Sequence, residues 1–130
     1  MKKLKLMLFV VICLSSLLIG CNGGSTFNGN KVTNADSFQM EYSILNQQED
    51  SSLMLLAGDS IQVAISQKSG TVDVIVGMDG NEPVYEGNNL TNMGFTLNVN
   101  ETGTYKISVI GHNACGSVVF TKIQAETRDE

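Results

Sequence analysis

From residue 38 onward, apolar and polar side chains alternate with a period of two. Phe38, Met40, Tyr42 and Ile44 are separated by Gln39, Glu41 and Ser43. The same alternation returns in Ile61-Val63-Ile65, Val72-Val74-Val76, Phe95-Leu97-Val99 and Tyr105-Ile107-Val109. Successive side chains of a strand point to opposite faces, so each stretch predicts a strand with one apolar face. Residues 53–56 form a short apolar run, Val84-Tyr85 follows Pro83 as an edge strand would, and residues 118–123 close the pattern. Turn signals fall between these stretches, roughly every 8–12 residues. They are Ala57-Gly58-Asp59, Ser69-Gly70, Asp79-Gly80, Thr102-Gly103 and the region 111–116. Asp79-Gly80 is the strongest, because both residues tolerate positive φ. The pattern predicts about eight short strands without a helix. Two antiparallel sheets sharing one core, a β-sandwich, accommodate it best, with a small closed barrel as the alternative.

The first twenty residues follow a different rule. Met1-Lys2-Lys3-Leu4-Lys5 is a short basic start, and residues 6–14 are an unbroken apolar run. The stretch is too short, and wrongly flanked, for a membrane-spanning helix, and it reads as a helical export signal. Leu18-Ile19-Gly20-Cys21 resembles the lipobox of bacterial lipoprotein precursors. That resemblance implies cleavage between Gly20 and Cys21, diacylglyceryl transfer to the Cys21 sulfur, and a location on the extracytoplasmic face of the cell membrane. Two acyl chains suffice for stable anchoring. Residues 22–37 are rich in Asn, Gly, Ser and Thr and read as a flexible tether, about 55 Å when stretched. The expected organisation is a signal peptide at 1–20, lipidated Cys21 and tether at 21–37, a β-sandwich at 38–125, and a disordered charged tail at 126–130.

Charge and composition narrow the function classes. The 130 residues carry 8 Lys+Arg against 13 Asp+Glu, a formal charge of −5. Loss of Lys2, Lys3 and Lys5 with the signal leaves 5 basic residues against 13 acidic ones, or −8. Such a chain lacks the basic face that nucleic-acid binding needs. Of the 3 Cys, Cys13 leaves with the signal and Cys21 is taken by lipid, so Cys115 remains as a single thiol and no intramolecular disulfide can form. The fold must hold by its core alone.

Residues that could carry chemistry are few. His112 and Cys115 stand three apart in a glycine-flanked segment. They could make a thiol–imidazole pair or half a metal site, but no further His or Cys completes a zinc set, and the glycines favour the plainer reading of a hairpin loop or a buried thiol. The segment 111–117 spells G-x-x-x-x-G-S without the phosphate-binding Lys and joins strand to strand, so it is no P-loop. No G-x-S-x-G elbow is present, and no cofactor motif appears. Asp79, Glu82 and Glu86 gather oxygen ligands in one region, as calcium would require, but the EF-hand order is missing and a turn whose acids face water is the preferred reading, so no metal is expected. Tyr42 and Tyr85 could offer a sugar-stacking platform or serve as core aromatics.

A longer resemblance runs over residues 57–120. Gly58-Asp59, Ile61-Gln62-Val63, Gly70-Thr71-Val72-Asp73-Val74, Phe95-Thr96-Leu97 and Gly103-Thr104-Tyr105-Lys106-Ile107-Ser108-Val109 resemble the bacterial pre-peptidase C-terminal type of domain, a jelly-roll β-sandwich of exported proteins. The last motif is also similar to the closing strand of small lipoproteins of Gram-positive bacteria. The resemblance implies a jelly-roll-like fold and a non-catalytic module. Relatives of this type bind collagen or glycans, with calcium at acids near the domain's start, where this chain has only Asp36. The sequence therefore predicts a lipid-anchored binding or interaction module with a glycan, peptide or protein partner, the alternative being a structural envelope subunit without a small ligand. An enzyme is not expected.

Overall fold

The computed structural model describes residues 26–126. The expected signal peptide, the cleavage site Gly20-Cys21, the lipidated Cys21, the first part of the tether and the last four residues lie outside them. Seven strands make up the domain: β1 (Phe27–Thr33), β2 (Ser37–Leu45), β3 (Gln48–Leu55), β4 (Ser60–Gly77), β5 (Tyr85–Leu90), β6 (Met93–Asn98) and β7 (Gly103–Ile123). All pairings are antiparallel.

Two long strands organise everything else. β4 has 18 residues and β7 has 21, and they pair along nearly their full length. The first part of β4 pairs with β6 and the last part with β5. The last part of β7 pairs with β2, which carries β1, and the first part pairs with β3. The β4–β7 ribbon thus belongs to two layers, β1-β2-β7-β4-β6 and β3-β7-β4-β5. It bends from one layer into the other where register shifts fall at Gln67/Ser69 and Ser69/Thr71. Extra residues at such bulges bend a ladder sharply. Gly70, with φ of 70°, and Asn113, with φ of 48°, supply the left-handed backbone that the bend requires.

The inward face of each layer is the predicted apolar face. Phe38, Met40 and Tyr42 of β2, Ile61, Val63 and Ile65 of β4, and Tyr105, Ile107 and Val109 of β7 are all buried. Phe38 stacks on its cross-strand partner Phe120 with ring centroids 5.7 Å apart. Aromatic pairs of this kind add to the burial of their area. The open sides of the sandwich are closed by side chains. On one side Lys31 bridges Glu49 at 3.1 Å, and Thr33 and Ser51 share a hydroxyl hydrogen bond of 2.8 Å. On the other, the Tyr85 and Phe95 rings meet at 4.6 Å.

Four sequence expectations need correction. Residues 27–33, read as tether, form β1: an edge strand exposes both faces, so it lacks the apolar alternation by which strands are recognised. Ser69-Gly70 is no hairpin turn, and 111–116 is no loop, because both segments continue through the bend of β4 and β7. Two predicted strand pairs therefore merge, β1 is gained, and eight strands become seven. The run at 53–56 is also less apolar in place than in sequence: Leu53 and Leu55 are buried, whereas Met54 and Leu56 face solvent.

Candidate binding groove

The register lays two rows of side chains across four strands. One row is Gly29-Tyr42-Gly116-Gln67 and the next is Asn30-Glu41-Ser117-Ser66. In the first row Tyr42 and Gln67 point into the core, at 3% and 7% exposure. Gln67 Nε2 donates to the Tyr42 hydroxyl oxygen at 2.7 Å and to the Ser117 carbonyl at 3.3 Å. Its backbone N–H donates to Asn92 Oδ1. Gln67 Oε1 is buried and has no hydrogen-bond partner. Burial pushes the Tyr42 phenol up and outweighs the Gln67 hydrogen bond, which opposes the rise, so Tyr42 stays protonated at neutral pH.

The glycines of that row are there for close approach. A Cβ on Gly29 would run into the Glu41 carbonyl oxygen, and one on Gly116 into the Ser66 carbonyl oxygen. Over them, on the outer face, lies a groove of about 450 Å³. Its walls are the second row together with Ser43, Lys68 and Cys115. Hydroxyls, amides, one carboxylate and one ammonium converge there without an exposed aromatic ring. That set recognises hydroxyl and amide groups, and the volume is in the range of small-molecule sites.

The residues singled out from sequence are dispersed. His112 lies at the bend with Nε2 2.8 Å from Asp73 Oδ2, and no hydrogen bond joins it to Cys115. Cys115 is a half-buried free thiol on the groove wall. Burial works to raise the Asp73 carboxyl, but the hydrogen bonds from His112 and the Asn89 N–H and the charge of His112 prevail and lower it. Asp79 and Glu82 are exposed in the turn between β4 and β5, and exposed Glu86 sits on β5 opposite Ile75. Among the described residues no group of three or more His, Cys, Asp or Glu side chains could hold a metal ion. Tyr42 and Tyr85 form no platform, since the first is in the core and the second packs on Phe95.

A second cleft, about 660 Å³, lies below the β4–β5 turn and contains Asp50, Asp79 and Lys106. Burial raises the Asp50 carboxyl, while bonds from Gln48 and Ser108 and the charges of Lys106 and Lys31 outweigh it and hold it low. A general acid would need the opposite shift.

The family-like motifs turn out to be structural. Asp59 is 2% exposed and accepts the N–H groups of Leu56 at 2.9 Å and Ala125 at 3.1 Å, tying the turn after β3 to the segment that follows β7. Tyr105 reaches back four residues to donate to the Glu101 carbonyl, the arrangement of a tyrosine corner. Sequence reading missed Gly29, Gly116 and Gln67. The signal for Gln67 was present: it continues the inward series Ile61, Val63, Ile65 at period two.

No family model matches the chain, and none of the curated proteins matches it. Solved structures do resemble it. A periplasmic inhibitor of g-type lysozyme from Aeromonas hydrophila is 16% identical with a TM-score of 0.44, over 75% of this chain and 96% of the inhibitor. The pre-peptidase C-terminal domain of a Bacillus anthracis collagenase is 11% identical, also at 0.44, over 75% of this chain and 88% of that domain. A CBM4 structure is 15% identical at 0.41, over 78% of both chains. At these identities no residue's role passes from them to this chain.

Proposed function

We propose that the protein is a lipid-anchored, extracytoplasmic β-sandwich module that acts by binding, and that its ligand is a glycan or a peptide main chain held in the groove across β1, β2, β7 and β4. The observation that carries this reading is the groove itself. Two glycines with no room for a side chain bring the strands together beneath it, and its walls are hydroxyls and amides with one charge of each sign. The Leu18-Ile19-Gly20-Cys21 motif supports the anchor, and an acidic surface suits a neutral or basic partner better than a polyanion.

The test is a thermal-shift panel of envelope glycan fragments and short peptides. A ligand that binds only the folded state raises stability by about 2.7 kcal/mol at a hundredfold excess over Kd. We expect one class to raise Tm and Ser66→Arg, which fills the groove from an exposed position, to remove the shift while leaving the unliganded Tm unchanged. No shift with any class, or a shift that survives Ser66→Arg, overturns the groove as the site. The former result favours a structural envelope subunit.

A further inference from the structure

The two ends of the sandwich differ in charge. One pole is where the ribbon bends and where β1 begins. The Thr26 carbonyl accepts the Asn46 N–H, Phe27 pairs with Leu45, and Leu45 with Ala114. Asn113 N–H donates to Asn46 Oδ1, Ser69 pairs with Cys115, and Gln67 N–H reaches Asn92 in the turn between β5 and β6. Residues 26–28, 44–48, 68–71, 89–93 and 111–115 make up this pole. They include Lys68 and His112 and not one Asp or Glu. Carboxylates border it, and three of them are paired: Asp73 with His112 at 2.8 Å, Glu49, which accepts from Gln47, with Lys31 at 3.1 Å, and Asp50, which accepts from Gln48, with Lys106 at 3.8 Å, while Glu41 lines the same groove as Lys68. The other pole gathers the turns at 33–37, 55–60, 77–85 and 98–103 and the end of β7. It carries exposed Asp36, Asp79, Glu82, Glu101 and Glu126 and buried Asp59, against Lys122, which is bridged to Asp36 at 3.4 Å, and Lys106, which pairs with Gly77 and is bridged to Asp50 at 3.8 Å.

Only five residues, 22–26, separate Cys21 from β1, and fully extended they span at most about 18 Å. A chain held by lipid at Cys21 therefore keeps the acid-free pole next to the bilayer. Elsewhere the acidic domain would be repelled by anionic headgroups. We propose that this pole is a docking surface for an anionic phospholipid bilayer, fixing the domain upright with the acidic pole outward. The inference rests on Cys21 being the anchor.

The chain has no Trp, so a single introduced Trp reports its own depth. Thr91→Trp marks the acid-free pole and Asn81→Trp the acidic one; both positions are exposed. The protein is purified from membranes, and the mass of its N-terminal peptide shows whether Cys21 carries diacylglycerol. If it does not, the anchor reading fails. The pole is then still tested by coupling residues 21–130, which contain every strand among the described residues, through Cys21 to a maleimide phospholipid in the Cys115→Ser background. Each variant is bound to phosphatidylcholine–phosphatidylglycerol vesicles that carry a headgroup nitroxide quencher, after a cooperative melt has verified folding. Ser69→Trp replaces Thr91→Trp if that variant does not melt cooperatively. We expect at least threefold stronger quenching at Thr91→Trp than at Asn81→Trp, and a smaller contrast when Lys68→Glu is added. Equal quenching at the two sites, stronger quenching at Asn81→Trp, or a contrast unmoved by Lys68→Glu overturns the proposal.

Discussion

Gln67, Asp59 and Tyr105 show how differently polar side chains can occupy the inside of one sandwich. Asp59 and Tyr105 spend their hydrogen bonds on backbone groups that would otherwise be orphaned at turns, so they stabilise the fold locally. Gln67 is only half satisfied: its Nε2 serves Tyr42, while Oε1 stays without a partner. A buried group left unpaired costs roughly 1–3 kcal/mol, whereas replacing both partners by apolar groups of similar shape can be neutral. Gln67→Leu and Tyr42→Phe should each destabilise by roughly 1–2 kcal/mol, and the double variant should lose clearly less than the sum of the two. Denaturant melts of the four proteins give the coupling, and strict additivity would refute it.

At the scale of elements, the apolar faces of β2, the two halves of β4, β6 and the first half of β7 were legible in sequence because alternation is a local property. β1 was not, because Lys31 and Thr33 find their partners on β3, far away in sequence. Gly70 and the 111–116 segment were misread as turns. Glycine signals a positive φ or a close approach without telling a reversal from a bend. The groove was illegible for the same reason: it exists only once four strands are in register, and Gly29 and Gly116 become informative only then. Gly116→Ala forces a Cβ onto the Ser66 carbonyl oxygen. It should lower stability by roughly 1–3 kcal/mol, as overpacking does, and widen the spacing of β7 and β4 beneath the groove. An unchanged melt would show that the two strands have slack there.

For the whole molecule, acid is the informative perturbation. Asp50 and Asp73 both titrate below the ordinary value of 3.8 in the folded state. A carboxylate depressed on folding contributes stability that is fully present above its unfolded pKa and is lost as pH falls through the folded one. Melts should therefore show these contributions constant from neutral pH to about pH 5 and disappearing below about pH 4. Asp73→Asn should flatten the acid limb more than Asp50→Asn, because the Asp50 side chain is 42% exposed and its partners are screened by water, against 18% for Asp73. The opposite ranking would place the acid sensitivity away from the bend. The central claim, that the groove is where this sandwich binds, is tested most directly by titrating the isotope-labelled protein with glycan fragments and peptides and following its backbone amide signals. The account predicts saturable shifts concentrated at Gly29, Glu41, Ser66, Gly116 and Ser117; shifts confined to the cleft around Asp50, Asp79 and Lys106, with the groove silent, would contradict it.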